Sequence, residues 1–218
     1  MHHVPAHCSD GAWHAAVDPA TAADGGPLTD GTWGLKIAVT AHGAAGTAGP
    51  ALRREAWLVP EEGADEEEFA PRIVGRGPAG PSVAALFLSH PHGHLHLDLD
   101  RAGDRRPLGA DLHGTATRGR FGRTALTARL TLPGCPADAE LGLILRDATR
   151  TVALRTTVER GAGDHRTVRS LLRRGPRGTW QVALRVTAGA LSQELPVRAA
   201  DGRTPLTLTL PGTPRPPR

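Results

Sequence analysis

One eleven-residue stretch constrains this chain more than any other, because it occurs twice. Gly31-Thr32-Trp33-Gly34-Leu35-Lys36-Ile37-Ala38-Val39-Thr40-Ala41 returns as Gly178-Thr179-Trp180-Gln181-Val182-Ala183-Leu184-Arg185-Val186-Thr187-Ala188, and six of the eleven positions are identical. After each tryptophan an apolar residue falls at every second position: Leu35, Ile37 and Val39 in the first copy, Val182, Leu184 and Val186 in the second. Side chains two residues apart share one face of a strand, so each copy predicts a β-strand with one buried face, headed by a tryptophan that serves as a structural anchor.

The repeat extends beyond that strand. Ala51-Leu52-Arg53-Arg54-Glu55 is matched by Ala190-Leu191-Ser192-Gln193-Glu194, and the alternation of His94-Leu95-His96-Leu97-Asp98-Leu99-Asp100 is matched by Pro205-Leu206-Thr207-Leu208-Thr209-Leu210. Three anchors in the same order divide the chain into two modules, 12–101 and 107–212. They are preceded by a loose N-terminus, 1–11, and followed by a Pro/Arg-rich tail, 213–218, expected to be disordered. The 27 glycines and 19 prolines leave no room for long helical patterns, and with four Trp, three Phe and no Tyr the core must be built of Leu, Val, Ile and Ala. In the first module strands are expected over Ala12–Val17, Gly31–Ala41, Leu52–Val59, Ser82–Leu88 and His94–Asp100. The second module predicts them near Leu108–Ala116, Thr124–Leu132, Glu140–Arg146, Thr151–Val158, Arg166–Leu172, Thr179–Ala188, Leu191–Arg198 and Leu206–Leu210. Short strands at such spacing predict an all-β chain of two antiparallel β-sandwich modules in tandem.

The modules are unequal. About 70 residues of the second precede its Gly-Thr-Trp, whereas only 30 residues of the whole chain precede that of the first. If Trp13–Asp18 corresponds to Leu154–Glu159, the strands equivalent to Leu108 through Arg146 have no counterpart, and the shortened sandwich would leave strand edges unpaired. The first module is therefore expected to be incomplete alone, with its gap filled by the second module, by a second copy of the chain, or by a larger partner.

Charge divides along the same line. The first 100 residues carry 5 basic and 13 acidic side chains, net −8, and the remainder 21 and 9, net +12. The basic half suits a polyanion, such as a polyol-phosphate polymer or anionic lipid, or it simply faces the acidic half. Nucleic acid fits less well, because the interleaved aromatics on which bases stack are missing. Cys8 and Cys135 cannot make a disulfide framework, and no apolar run has the length of a signal peptide or a membrane span, so the expectation is a cytoplasmic chain, at most peripheral at the inner membrane face.

Two stretches hold side chains that could carry chemistry. Ser89-His90-Pro91-His92-Gly93-His94-Leu95-His96 resembles the His-x-His-x-Asp-His segment of metallo-β-lactamase-fold hydrolases, which would make His90 and His92 zinc ligands, with His94 and His96 beside them. Here His94 stands where that family has its Asp and Leu95 where it has the next His. A β-like alternation follows in place of a helix, which makes these histidines the polar face of an amphipathic strand whose Leu95, Leu97 and Leu99 point inward. The second stretch is Arg118-Gly119-Arg120-Phe121-Gly122-Arg123, a basic turn in which Arg118, Arg120 and Arg123 could contact phosphate through bidentate guanidinium donors. No catalytic residue and no cofactor is expected.

Asp30-Gly31-Thr32-Trp33, Gly93-His94-Leu95-His96-Leu97, Arg118-Gly119-Arg120-Phe121 with Leu141–Arg146, and Gly178-Thr179-Trp180 together resemble the tandem β-sandwich regions that follow the catalytic domains of actinobacterial cell-wall glycosyltransferases and CDP-glycerol glycerophosphotransferases. The resemblance implies an immunoglobulin-like, non-catalytic pair that assembles with or positions a transferase acting on teichoic-acid-like polymers. The alternatives are the metal-dependent hydrolase using His90 and His92, and a gene fragment without function.

Overall fold

The computed structural model describes residues 2–41, 52–60, 69–100, 108–109, 111–119, 123–173 and 176–210. The acidic run at 61–68, the joint at 102–106, Arg120 and the tail at 213–218 lie outside them. The described residues form seventeen strands and no α-helix, in several antiparallel sheets, so the chain is all-β. None of its described helical segments is long and apolar enough to cross a membrane.

The second half has two sheets. One has the order β13 (Thr156–Arg160), β14 (His165–Leu172), β10 (Thr124–Thr131), β9 (His113–Arg118). The other runs β12 (Thr151–Ala153), β11 (Glu140–Arg146), β15 (Gly178–Ala188), β16 (Leu191–Pro196), with β17 (Thr207–Leu210) also on β15. The alternating apolar residues of both sheets meet in one core: Leu126, Ala128, Leu130 and Val168 from the first, Leu143, Leu145, Trp180, Val182, Leu184 and Val186 from the second. Trp180 is completely buried there, with the Arg150 guanidinium lying 4.7 Å from its ring centroid. The expected strand Thr151–Val158 is two, β12 and β13, which belong to different sheets. The chain crosses between layers at Leu154, whose amide donates to the Leu143 carbonyl (2.9 Å), and Arg155, whose carbonyl accepts from Ser170 Oγ (2.9 Å).

The first half is built on a sheet of order β3 (Gly31–Gly34), β8 (Leu95–Leu99), β7 (Pro81–Leu88), β6 (Arg72–Gly75), beside a two-stranded ribbon, β4 (Lys36–Ala41) with β5 (Leu52–Trp57). Strand β6 has no counterpart in the sequence expectations. One face of this sheet, with Ala84, Leu97 and Leu99, packs on Ala22, Leu28 and Val4 from the N-terminal segment. Ile73, Val83 and Ala85, which alternate with them, join the core of the second half, and the Ile73 amide donates to the Pro133 carbonyl (2.8 Å). The N-terminus, expected to be loose, forms the hairpin β1 (His7–Ser9) with β2 (Ala12–His14). Among the described residues β2 pairs only with β1, so Trp13–Asp18 does not pair as Leu154–Glu159 does; the match of apolar residues did not extend to pairing partners.

The repeat is visible in the backbone. Gly31 and Gly178 share an unusual positive φ, 135° and 129°. Trp33 Nε1 donates to the Thr29 carbonyl and Trp180 Nε1 to the Pro176 carbonyl, each four residues back and each at 3.0 Å. Trp33 pairs with Leu97 as Trp180 pairs with Leu208, and Lys36 with Trp57 as Ala183 with Pro196. Where these ladders meet, three amides close a ring: Leu35 donates to Leu95, Leu95 to Leu58, and Leu58 to Leu35, at 2.8 to 3.1 Å. Val182, Leu206 and Val197 make the same ring at 2.8 to 3.0 Å.

The copies are not identical. The second is a continuous strand, whereas the first is interrupted at Leu35, with β3 and β4 in different sheets. Trp33 is also only half-buried, packed on the N-terminal segment and tilted against the His2 ring (centroids 5.6 Å apart), so it is not an anchor between two sheets as Trp180 is.

Candidate functional site

The densest basic feature lies at one end of the second half, and strand register assembles it. Thr124 at the start of β10 pairs with Arg118 on β9 and with Leu172 on β14. Arg123 and Arg173, each one residue beyond these pairs, therefore lie at the same end of the sheet as Arg118, on three neighbouring strands spaced about 4.8 Å apart. The Gly119 amide donates to the Arg123 carbonyl (2.8 Å) and closes the β9–β10 turn. Arg118 Nη2 reaches the Thr209 carbonyl of β17 (3.5 Å), and Thr209 pairs with Thr179, two residues after Arg177. Arg118, Arg123, Arg173 and Arg177 are all exposed, and among the described residues none forms an ion pair with a carboxylate.

Other arginines are spoken for: Arg169 is bridged to Glu159 (3.1 Å), Arg185 to Glu194 (2.7 Å) and Arg150 to Asp147 (2.6 Å). Sequence spacing suggested only the turn around Arg118 and Arg123. Arg173 and Arg177 lie some fifty residues further on, and only the β10–β14 pairing shows that they share its end of the sheet.

The histidine strand forms a different arrangement. The Trp57 indole lies parallel to the His94 imidazole (centroids 4.6 Å, 7° between planes) and also stacks on His96 (5.8 Å, 25°). His92 stacks on the other neighbour of the row, His94 (5.5 Å), and Phe87 on His96 (5.3 Å), while Lys36 Nζ stands 4.3 Å over the Trp57 ring. The His94 pKa is lowered from its usual value, first by loss of water around its ring and then by repulsion from His92, His96 and Lys36. His90 lies within the turn that the Gly93 amide closes on the Ser89 carbonyl, is bonded to Pro91 through a cis peptide, and joins none of these ring contacts. Among the described residues no group of three or more His, Cys, Asp or Glu side chains is placed to hold a metal ion. The row of rings packs His92, His94 and His96 against aromatic carbon, an arrangement the spacing of the histidines alone does not reveal. Leu97 and Leu99 point inward as expected, and Leu95 is half-buried.

A third polar group sits at the junction of the halves, in an open cleft of about 470 Å³ bounded by Asp30, Arg76, Ser82 and Asp100 with Ser192 and Gln193. Buried Arg76 donates to Asp30, to the Leu28 carbonyl, to Ser82 Oγ (2.8 Å) and to Asp100 (3.2 Å), and Asp100 also accepts from Ser82 Oγ (2.7 Å) and the Val83 amide (3.1 Å). The two Nη groups of Arg76 are satisfied in this way, whereas its buried Nε has no hydrogen-bond partner among the described residues.

Comparison with protein-family models, with curated proteins and with solved structures finds no match to this chain.

Proposed function

We propose that this chain is a non-catalytic pair of immunoglobulin-like β-sandwich modules, the accessory, assembly or polymer-binding part of a cell-envelope glycosyltransferase or glycerophosphotransferase system. Its second module contacts a polyanion, a polyol-phosphate polymer, through Arg118, Arg123, Arg173 and Arg177. The observation that supports this most is the placement of those four exposed arginines, from two connections, at one end of the second half, with no ion pair to a carboxylate among the described residues. Guanidinium is the side chain best matched to phosphate, offering paired donors in a fixed plane and a charge that persists at any physiological pH. The transferase context rests on the resemblance of the repeated strands and turns.

The test is titration of a fluorescently labelled glycerol-phosphate oligomer with the full chain and with a variant carrying R118Q, R123Q, R173Q and R177Q. An exposed charge pair contributes about 0.2–1 kcal/mol, so the fourfold variant is expected to bind roughly tenfold more weakly or worse. Affinity should also fall as salt rises from 0.01 to 0.15 M, where the screening length shortens from about 30 to about 8 Å. Equal binding by both proteins, or binding insensitive to salt, would overturn the proposal.

A further inference from the structure

The repeat shows what strand β4 lacks. Its equivalent, the second part of β15, is flanked by β16 on one edge and by β11 on the other, the latter pairing from Glu140↔Thr187 to Arg146↔Gln181. Strand β4 has β5 in the register of β16, but among the described residues no strand lies on its other edge. The consequence is seen in burial: Val39 is 43% exposed where Val186 is 0%, and Leu58 is 36% exposed where Val197 is 0%. A two-stranded ribbon is at best marginally stable in water, and a third or fourth strand with an apolar face is what makes a sheet persist.

Among the described residues the free edge carries a single protecting charge, Lys36. Exposed edge strands are usually blunted by charges, proline or bulges. After Lys36, β4 reads Ile37-Ala38-Val39-Thr40-Ala41, with none of these. Its hydrogen-bonding parity follows from the Leu58 amide, which donates to the Leu35 carbonyl (3.1 Å). Because backbone groups alternate between edges in an antiparallel ladder, Leu35, Ile37 and Val39 face β5, and Lys36, Ala38 and Thr40 present their amides and carbonyls outward.

We infer that β4 pairs with β4 of a second copy of this chain, antiparallel, about a two-fold axis through Ala38. This register is self-complementary, as an isologous interface must be. Ala38 exchanges bonds with its own copy, and Lys36 with the partner's Thr40. Ile37 lies opposite the partner's Val39 on the same face, so the apolar row continues across the axis. The two Lys36 ammonium groups stay four residues apart along the strand, about 14 Å, and do not oppose each other. The result is a continuous four-stranded sheet, β5–β4–β4–β5, made without any other molecule.

Sedimentation velocity of the full chain over a range of concentrations tests this. Reversible dimerisation is expected, with Ala38→Asp, which sets like charges on the axis, and Ala38→Pro, which removes the axial amide, each raising the dimer Kd at least about tenfold. Ala38 is exposed, so Ala38→Asp should keep the circular dichroism of the wild type and separate lost pairing from lost folding. A chain that stays monomeric at every concentration would overturn the inference, as would a dimer that both variants leave unchanged.

Discussion

His94 shows how a side chain's neighbours set its chemistry. Its ring is sandwiched between Trp57 and His92, and the groups around it are either aromatic or cationic, so the neutral imidazole is the favoured form. When the folded pKa of a histidine lies below its unfolded value, the unfolded chain takes up the proton first as pH falls. The stabilisation from the stack is therefore complete above the usual pKa of 6.5 and is lost as pH falls from there toward the lowered folded value. NMR titration of the His94 ring should give a midpoint below 6.5, returning toward it in Trp57→Ala; a midpoint at or above 6.5 in the wild type would show that the stack does not form. The two repeat tryptophans show the same dependence on surroundings. Their indole hydrogen bonds are identical, yet Trp180 is sealed between two sheets while Trp33 has one sheet and the N-terminal segment.

At the level of elements, the alternation of apolar residues revealed most of what folded. Glu140–Arg146 is a strand with the expected ends, and Thr124–Leu132, Arg166–Leu172 and Thr179–Ala188 differ from their strands by a residue. Alternation encodes which face is buried but not which strand lies alongside, and the misplaced elements are those that depend on partners. These are the crossing at Leu154, the hairpin at Trp13 and the break between β3 and β4; in addition β6 is not expected from the sequence, and the strand expected at Leu108–Ala116 is β9, His113–Arg118. At that break Gly34 stands where the second copy has Gln181. A Cβ on Gly34 would lie 2.6 Å from Cζ3 and 3.0 Å from Cη2 of Trp57, so the glycine is what allows the indole to lie across the strand and meet His94. Gly34→Ala should force the ring away and cost about 1–3 kcal/mol in urea denaturation, with loss of the ring-current shifts on His94. Unchanged stability and shifts would mean that the Trp57 ring does not occupy that position. The arginine end was half legible: Arg118 and Arg123 are a local turn, whereas Arg173 and Arg177 join them only through long-range pairing.

In the whole molecule, the same three-strand unit is built twice and finished once. The second unit has β11 on its edge and a second sheet over its face; the first has the N-terminal segment on one side of its main sheet and, on the other, contact with the second unit through Ile73, Val83 and Ala85. Gly134 permits that contact, since a Cβ there would fall 2.0 Å from the Ile73 carbonyl oxygen. The short front of the first module corresponds to the β4–β5 ribbon, whose outer edge has no strand beside it among the described residues. All of this rests on the two units being one structure repeated. Native-state hydrogen exchange tests that most directly, through the amides of the two hydrogen-bonded rings. Leu35, Leu58 and Leu95 should be protected together, as should Val182, Val197 and Leu206, which make the same hydrogen bonds in the second unit. Exchange of the first three at unfolded-chain rates, with the second three protected, would show that the repeat in sequence is not a repeat in structure.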